Sequence, residues 1–317
     1  MIHVAGANPN GGGVLTYIKN LTHSMNDLYI YAYTEYLNFF RNIQDGDTVF
    51  LNVVKPSLPF LILAKLKFNK NISIVYCGHG LNYKNNKGFR RLIVKFCEYF
   101  ISKFSDKIIV LNKKDMSEFL SWNKSSYLIP TSLRPTDNLK DTICKIDGDI
   151  SWVAVGCVEE RKNPELFIEI ARSIKRLFPN DSFTWIGDGP LLHHLNTESL
   201  ENEGIFFEGA MDNNLVRDKL NQQHIFLCTS SYEVLPISIL EAVEARCIIC
   251  LKKYHYSDDV TSRFSSAVSF DNSNQVVDIR KNIDKLVELN KAAIYEANMV
   301  NKAYKSYIKS MKKVLDV

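Results

Sequence analysis

Two glutamates stand eight residues apart where a predicted strand passes into a predicted helix. In SSYEVLPISILEA, Glu233 lies in the turn and Glu241 lies in the second turn of a helix opened by Pro236. The free N–H groups of Val234 and Leu235, at the start of that helix, suit phosphate or sugar oxygens. A carboxylate such as Glu241 can accept two hydrogen bonds from a ribose diol. On spacing alone, two solvated glutamates on an amphipathic helix remain the alternative.

A lysine before a second predicted helix suits a diphosphate. In AVGCVEERKNPELF, a strand ends at Gly156, and Pro164 opens a helix capped by Asn163. Lys162 therefore lies beside a helix N-terminus at the mouth of the sheet, with Arg161 next to it, where charge-assisted hydrogen bonds to phosphate are strong. Ordinary surface cations are the alternative interpretation.

Glycine-rich turns and one histidine complete the candidate set. Gly187 and Gly189 in WIGDGPLL form a tight strand-to-helix turn that lets a backbone approach a ligand closely. Gly12 and Gly13 lie in a similar loop near the start of the chain, which matches neither the Walker A nor the dinucleotide fingerprint. His79 follows another predicted strand; a purely structural histidine is the alternative there.

The elements that must position these residues alternate between short apolar strands and amphipathic helices. Strands such as TVFLNVV, ISIVYCG, SWVAVG and HIFLCTS are continuously apolar, which predicts parallel sheets covered on both faces. Ligands bind beyond the carboxyl ends of such strands. The polar stretch 131–150 predicts a linker. The expected organisation is a first domain over 1–145, a second over 146–275, and a helical region without a strand over 276–317.

In their order and spacing, GCVEERKN, GDGP, FFEGAMD and SSYEVLPISILEA resemble the nucleotide half of glycosyltransferase family 4. The family's pattern is G-R-x4-K-[NG], then G-x-G-P, a Phe and Gly strand, and E-x7-E, and the match covers roughly residues 151–250. The resemblance implies the GT-B fold, an α/β architecture of two Rossmann-like, doubly wound domains facing a cleft. It also implies that the C-terminal helix crosses back to the first domain.

The same resemblance assigns roles in donor binding. It implies that Glu241 holds the ribose of a nucleotide-sugar and that Glu233 lies against the donor sugar or its phosphate, assisted by the N–H groups of Val234 and Leu235. Lys162 would neutralise the diphosphate and help it leave.

The resemblance further implies that the strand end at Gly209 lines the base pocket, and that the loop with Gly12 and Gly13 faces acceptor and donor phosphate. His79 corresponds to an acceptor-side histidine. The chain departs from the pattern at Cys157, where the family has an arginine, so Arg161 is expected to substitute for that cation.

The function predicted from these features is retaining transfer of a sugar from a nucleoside-diphosphate donor to a hydroxyl acceptor on a lipid-linked or surface-polysaccharide glycan. No cofactor and no metal ion is expected. The two DGD triplets, 45–47 and 147–149, precede strands and are typical of turns. A non-catalytic, nucleotide-sugar-binding or regulatory GT-B protein remains the alternative, favoured by Cys157. Nucleic-acid binding is not expected, since no recognition module is present.

Charge and cysteine usage constrain partners and compartment. Residues 1–145 carry 19 Lys and Arg against 10 Asp and Glu, and 12 of these cations lie between Lys65 and Lys114. That excess predicts an anionic partner, such as a membrane surface, with a solvated lysine-rich face as the alternative. Cys247 and Cys250 lie in an apolar run without a second ligand pair, which predicts buried thiols. A cytoplasmic protein, peripheral at the inner face of the membrane, is expected.

Overall fold

The computed structural model describes the chain in two compact units. The described residues are 1–7, 13–22, 24–25, 28–32, 34–67, 71–135, 146 and 148–316. Unit 1 comprises Met1–Ser132 and Lys302–Val317, and unit 2 comprises Leu133–Asn301. Because residues 136–145 and 147 lie outside the described part, the predicted domain boundary at residue 145 stays a prediction.

Unit 1 is built on a parallel six-stranded sheet in the order β2-β1-β3-β4-β5-β6. Its strands are β1 Ile2–Ala7, β2 Leu28–Ala32, β3 Thr48–Asn52, β4 Ser73–Gly78, β5 Lys107–Val110 and β6 Ser126–Leu128. Its helices are α1 Gly13–Thr22, α2 Tyr36–Asn42, α3 Val54–Lys67, α4 Gly88–Phe104 and α5 Lys113–Trp122. Every residue of β3 is buried, as expected for an apolar strand covered on both faces. The strand order reverses between β1 and β3, so the loops after these two strands border the crevice where such sheets bind ligands.

Unit 2 has its own parallel six-stranded sheet, in the order β12-β11-β10-β7-β8-β9. Its strands are β7 Ser151–Val155, β8 Ser182–Ile186, β9 Ile205–Phe207, β10 Ile225–Cys228, β11 Ile248–Lys252 and β12 Ala267–Phe270. Its helices are α6 Pro164–Lys175, α7 Thr197–Asn202, α8 Asn213–Leu220, α9 Ile237–Glu244, α10 Ser257–Arg263, α11 Ser273–Lys281 and the first part of α12 Ile283–Leu315. Trp152 and Val153 of β7 pack into different core clusters, so both faces of the sheet are covered. Here the order reverses between β7 and β10.

The predicted fold class, an α/β chain of two Rossmann-like doubly wound units, is confirmed. The last part of α12 belongs to unit 1, where the Tyr304 hydroxyl lies 2.5 Å from Ser24 Oγ and Lys107 Nζ lies 2.5 Å from Asp316 Oδ2. One strand was not predicted. The short segment AVSF forms β12 beside β11, although a serine interrupts its apolar pattern.

A buried ion pair fixes the edge of unit 2 opposite the carboxyl ends of the strands. Asp181 is fully buried, and both of its carboxylate oxygens accept hydrogen bonds from Arg280, at 2.8 and 2.9 Å. The same carboxylate accepts from the Ile150 backbone N–H and from the Trp152 indole N–H, each at 3.0 Å. This carboxylate therefore ties α11 to the beginning of β7.

Replacing Asp181 by asparagine is expected to destabilise the fold by about 3–5 kcal/mol, because the buried guanidinium of Arg280 loses its counter-charge. Chemical denaturation followed by circular dichroism measures the loss. Glu203→Gln is the matched control, since Glu203 also makes a two-point contact with an arginine, Arg172, but at the surface. That change is expected to cost less than about 1 kcal/mol. Equal losses in the two variants would show that burial does not control the strength of the Asp181 pair.

Candidate functional site

Lys162 lies in the loop that leaves β7, at the point where the strand order of unit 2 reverses. The loop forms a 3-10 turn over Glu160–Lys162, after which Asn163 takes the left-handed conformation and caps α6 by accepting from the Leu166 N–H. Pro164 is the first residue of α6, so the predicted cap and helix start are both confirmed. Gly156 has a φ of 150°, and a side chain there would lie 3.1 Å from Lys162 Cε. The absence of a side chain at residue 156 thus makes room for the lysine.

Lys162 and Glu233 meet in an ion pair. Lys162 Nζ lies 2.7 Å from Glu233 Oε1, and each side chain is only 12% exposed. Arg161 also donates to Glu233 through its guanidinium, and its other terminal nitrogen donates to Glu159 at 2.7 Å. Two cations therefore converge on one carboxylate at the mouth of the second sheet, and both belong to the set predicted from sequence.

Hydrogen bonds hold the two loops of this cluster together. The Ser231 N–H donates to the carbonyl of Arg161 at 2.9 Å, and the Thr229 hydroxyl donates to the carbonyl of Lys162 at 2.8 Å. Because these bonds join the loop after β7 to the loop after β10, the cations and Glu233 occupy defined positions without a ligand. Such positioning in advance of binding is what electrostatic stabilisation of a developing charge requires.

The predicted glycine turn after β8 packs directly against the Lys162 loop. A side chain at Gly187 would collide with the carbonyl oxygen of Gly156, and one at Gly189 would collide with the backbone of Val158. Gly187 also donates its N–H to the carbonyl of Gly209 at 2.8 Å. The close approach inferred from sequence therefore takes place between two loops of the protein, which accounts for both glycines without a ligand.

Glu241 is positioned by α9 and is nearly enclosed. It is 8% exposed, and among the described residues no hydrogen bond or ion pair reaches its carboxylate. Burial raises its pKa, while the nearby Arg217 lowers it and Glu244 raises it further. Arg217 itself pairs with Glu244, at 3.1 Å. A mostly buried carboxylate without a partner suits hydroxyl donors supplied by a ligand.

The turn before α9 exposes backbone donors. Pro236 directly precedes the helix, which begins at Ile237, one residue later than predicted. In the described part of the chain, the N–H groups of Val234 and Leu235 donate to no other residue. Together with the helix N-terminus they form a region that favours anionic oxygens.

Gly209 lies just beyond the end of β9, beside the Gly187 turn. It has a φ of 72° and pairs with Gly187 in an isolated antiparallel bridge. Two residues earlier, Phe207 stacks on Trp185 with ring centroids 5.8 Å apart. The predicted base-pocket segment is thus an aromatic strand end beside the glycine turn.

A tyrosine that sequence reasoning missed completes this part of unit 2. The Tyr254 hydroxyl is buried and has no hydrogen-bond partner in the described structure. Burial raises its pKa, and the charges of Cys228 and Glu233 raise it further, which places the phenol near the Glu233 cluster. The loop KKYHYS after β11 carries no motif; only its position at the end of a strand signals a role.

His79 lies after β4 in unit 1. Its Nε2 is 3.1 Å from Asn52 Oδ1, and the Tyr17 ring packs edge-on at 5.0 Å. Burial lowers the pKa of His79 to about 4, so its ring is neutral at neutral pH. With Nε2–H donated to Asn52, Nδ1 is left as an acceptor. Asn52 ends β3 and is followed by Val53 in a left-handed conformation with a φ of 66°, which is strained for a β-branched residue.

The remaining candidates are placed as follows. Gly13 begins α1, directly after the loop that follows β1, while Gly12 lies outside the described residues. Cys157, where the family has an arginine, is exposed, and Cys247 and Cys250 are buried free thiols, as predicted. In the first DGD triplet, Asp47 accepts from the Gln44 N–H and contacts His3, both within unit 1. Within the described ranges, no helix combines the length and apolar composition that crossing a membrane requires.

Comparison with known proteins yields a family match and several relatives. The model of the family Glycosyl transferases group 1 matches residues 138–306, which is just over half of the chain. One subunit of phosphatidylinositol N-acetylglucosaminyltransferase, the PIG-A-type chain, is 31% identical to this chain in Arabidopsis thaliana and 30% identical in Homo sapiens, in each case over 118 residues. That stretch covers 36% of this chain and 24% of each relative, so the match spans about a quarter of the length of those proteins.

Two solved structures resemble the chain over almost its whole length. Anabaena HepE, in complex with UDP and glucose, has a TM-score of 0.74 at 10% identity and is covered to 98%, as is this chain. Sucrose-phosphate synthase from Thermosynechococcus elongatus has a TM-score of 0.72 at 13% identity, with coverage of 99% of this chain and 97% of that one. At these identities the likeness establishes the fold alone.

Proposed function

The chain belongs to the glycosyl transferases group 1, and from this membership we propose that it moves a sugar, with retained anomeric configuration, from a nucleoside-diphosphate donor to a hydroxyl acceptor. The observation that carries the proposal is the cluster of Lys162, Arg161 and Glu233 at the strand-order reversal of unit 2. Crevices of this kind bind nucleotides in doubly wound sheets.

The donor's diphosphate would bind against the two cations and the free N–H groups of Val234 and Leu235. Arg161 supplies the second cation that Cys157 cannot, since its guanidinium lies on the same carboxylate as Lys162. Glu233 keeps both cations in place before the donor arrives. Glu241, which has no partner among the described residues, accepts hydrogen bonds from the ribose hydroxyls.

Transfer then proceeds by attack on the face from which the leaving group departs. The acceptor oxygen forms a bond to the anomeric carbon as the bond from that carbon to the phosphate oxygen breaks. The electron pair stays on the diphosphate, where Lys162 and Arg161 stabilise it, and a diphosphate oxygen takes the acceptor's proton. Glu233 is held by two cations and is therefore poorly suited to act as a covalent nucleophile. No resident cofactor or metal ion enters this scheme.

On the acceptor side we assign His79, whose neutral ring presents Nδ1 as an acceptor for a hydroxyl proton. The acceptor itself is proposed to be a lipid-linked or surface-polysaccharide glycan. Support comes from the 12 cations between Lys65 and Lys114, which favour an anionic membrane surface near the site of transfer.

Thermal denaturation in the presence of UDP, GDP and ADP tests donor binding directly. One of the three is expected to raise the melting temperature by about 5 °C at a concentration near 100 times its Kd, because binding stabilises only the folded state. Adenosine, which lacks phosphates, is the control and is expected to have no effect. Absence of any shift with all three diphosphates would contradict the assigned donor site.

Cys157 favours a second candidate, a nucleotide-sugar-binding protein without transferase activity, because one phosphate-binding cation of the family pattern is missing. The two functions differ in slow hydrolysis of the donor by water. A transferase releases free sugar and nucleoside diphosphate from the donor that binds, whereas a binding protein saturates and releases neither.

A further inference from the structure

Helix α4 of unit 1 is apolar on two opposite faces. Its inward face buries Ile101 together with Glu98 and Ser102. The opposite face exposes six large apolar side chains, which we name the α4 ridge: Phe89, Leu92, Ile93, Phe96, Tyr99 and Phe104. Exposure reaches 76% at Phe89, 64% at Leu92 and 66% at Phe96.

The ridge forms one continuous stripe along the helix. Residues 89, 92, 93, 96 and 99 follow the spacing of three and four that puts side chains on one face. Single exposed apolar residues are ordinary on protein surfaces, but a whole helical face of large ones marks a site of interaction. Helix α3, which packs against α4, also exposes Ile62 and Leu66.

The exposed charged residues of this helix and its N-terminal flank are all cations. Lys87, Arg90 and Lys103 are exposed, and the single acidic residue of α4, Glu98, is buried. Glu98 is engaged in accepting from the Asn82 N–H at 2.8 Å and from the Tyr83 N–H at 3.4 Å. The surface that reaches solvent is therefore apolar at its centre and positive around it.

We propose that the α4 ridge docks the chain on an anionic lipid bilayer, with its aromatic and aliphatic side chains inserted between the headgroups. An apolar helical face bordered by Lys and Arg is the pattern of helices that lie in a membrane interface. A second copy of the chain fits less well, since a two-fold contact on this face would bring like cations together. The inference deepens the proposed function and rests on it in one respect, that docking would bring the enzyme to a lipid-linked acceptor.

Sedimentation with vesicles tests the docking surface. The wild-type chain is expected to sediment with vesicles of equimolar phosphatidylcholine and phosphatidylglycerol and to bind pure phosphatidylcholine weakly. High salt is expected to weaken this binding without abolishing it, because only the electrostatic part is screened. The double variant F89S/F96S is expected to bind the mixed vesicles at least about tenfold more weakly, since two inserted rings are lost.

Leu37→Ser is the matched control, because Leu37 is 73% exposed in the same unit but lies on α2. It is expected to bind vesicles as the wild type does. Unchanged binding in F89S/F96S, or equal losses in the two variants, would overturn the proposal. So would a wild-type chain that ignores vesicles but forms a dimer that the double variant lacks.

Nucleotide-induced stabilisation of the same proteins separates the two proposals. F89S/F96S is expected to keep the full shift with the diphosphate that stabilises the wild type, because both rings are exposed in unit 1 and the donor residues lie in unit 2. Vesicle binding by a wild type that no diphosphate stabilises would leave the ridge assigned and refute the donor site alone.

Discussion

Lys162→Ala is expected to lower turnover of the donor about a hundred- to a thousandfold, while the Kd for the nucleoside diphosphate changes much less. Charge on the diphosphate increases as its bond to the sugar breaks, so a fixed ammonium contributes most in the transition state. The structure supplies the required fixity, since Lys162 Nζ is held 2.7 Å from Glu233 and its carbonyl accepts from Thr229. The rate of release of nucleoside diphosphate, measured at saturating donor, gives the effect.

Lys281→Ala serves as the control for this experiment. Lys281 is a lysine of the same unit, 54% exposed, whose nearest carboxylate partner is Asp278 at 4.0 Å. Its loss is expected to leave turnover unchanged. Wild-type turnover in Lys162→Ala would remove the central residue of the proposed mechanism. A rise in Kd equal to the fall in turnover efficiency would assign Lys162 to ground-state binding instead.

The architecture could be predicted from sequence because parallel sheets leave a strong local signal. Continuous apolar strands such as TVFLN are buried on both faces, and each unit repeats them between amphipathic helices. The start of α6 was equally legible, because Asn163 and Pro164 encode a cap and a first turn. Strand β12 was missed because its four residues, AVSF, are too few and too mixed to show a period.

The partners of the candidate residues were less predictable than their identities. Spacing singled out Arg161, Lys162 and Glu233, but their convergence depends on β7 and β10 being neighbours, which is a property of the strand order. Likewise, the glycine at position 187 was legible as a close approach, whereas the contacting group, the carbonyl of Gly156, was not. Tyr254 had no local signal, since only the fold brings its hydroxyl toward Glu233.

The surface carried a mixed message. The cations between Lys65 and Lys114 were visible as composition, and they predicted an anionic partner. In the structure several of them have structural roles, such as Lys84, which pairs with Asp115 at 2.9 Å. The apolar residues between them were assigned to an ordinary amphipathic helix, because sequence cannot tell which of two apolar faces is the buried one. Exposure of Phe89 and Phe96 gives that segment its second interpretation.

Glu241→Gln is expected to act in opposite directions on the free protein and on its complex. In the free protein the carboxylate is 8% exposed and has no partner among the described residues, and burial raises its pKa. Ionisation of such a group opposes folding, so the neutral amide is expected to raise the melting temperature slightly at neutral pH. The raised pKa sets the sign: this gain is expected to disappear as the pH falls below the ordinary range of a glutamate, where both forms are neutral.

Binding is expected to respond in the other sense. A carboxylate that accepts from two ribose hydroxyls contributes charge-assisted hydrogen bonds, each worth about 1.5–3 kcal/mol, and the amide retains one weaker acceptor. The Kd for the nucleoside diphosphate is therefore expected to rise about tenfold or more in Glu241→Gln, as measured by isothermal titration calorimetry. Glu165→Gln, on the first turn of α6, is the control and is expected to change neither quantity. A variant that binds the nucleotide as tightly as the wild type would exclude Glu241 from the ribose site. One that loses both stability and affinity would show a structural carboxylate, since a group kept for a ligand opposes folding until that ligand arrives.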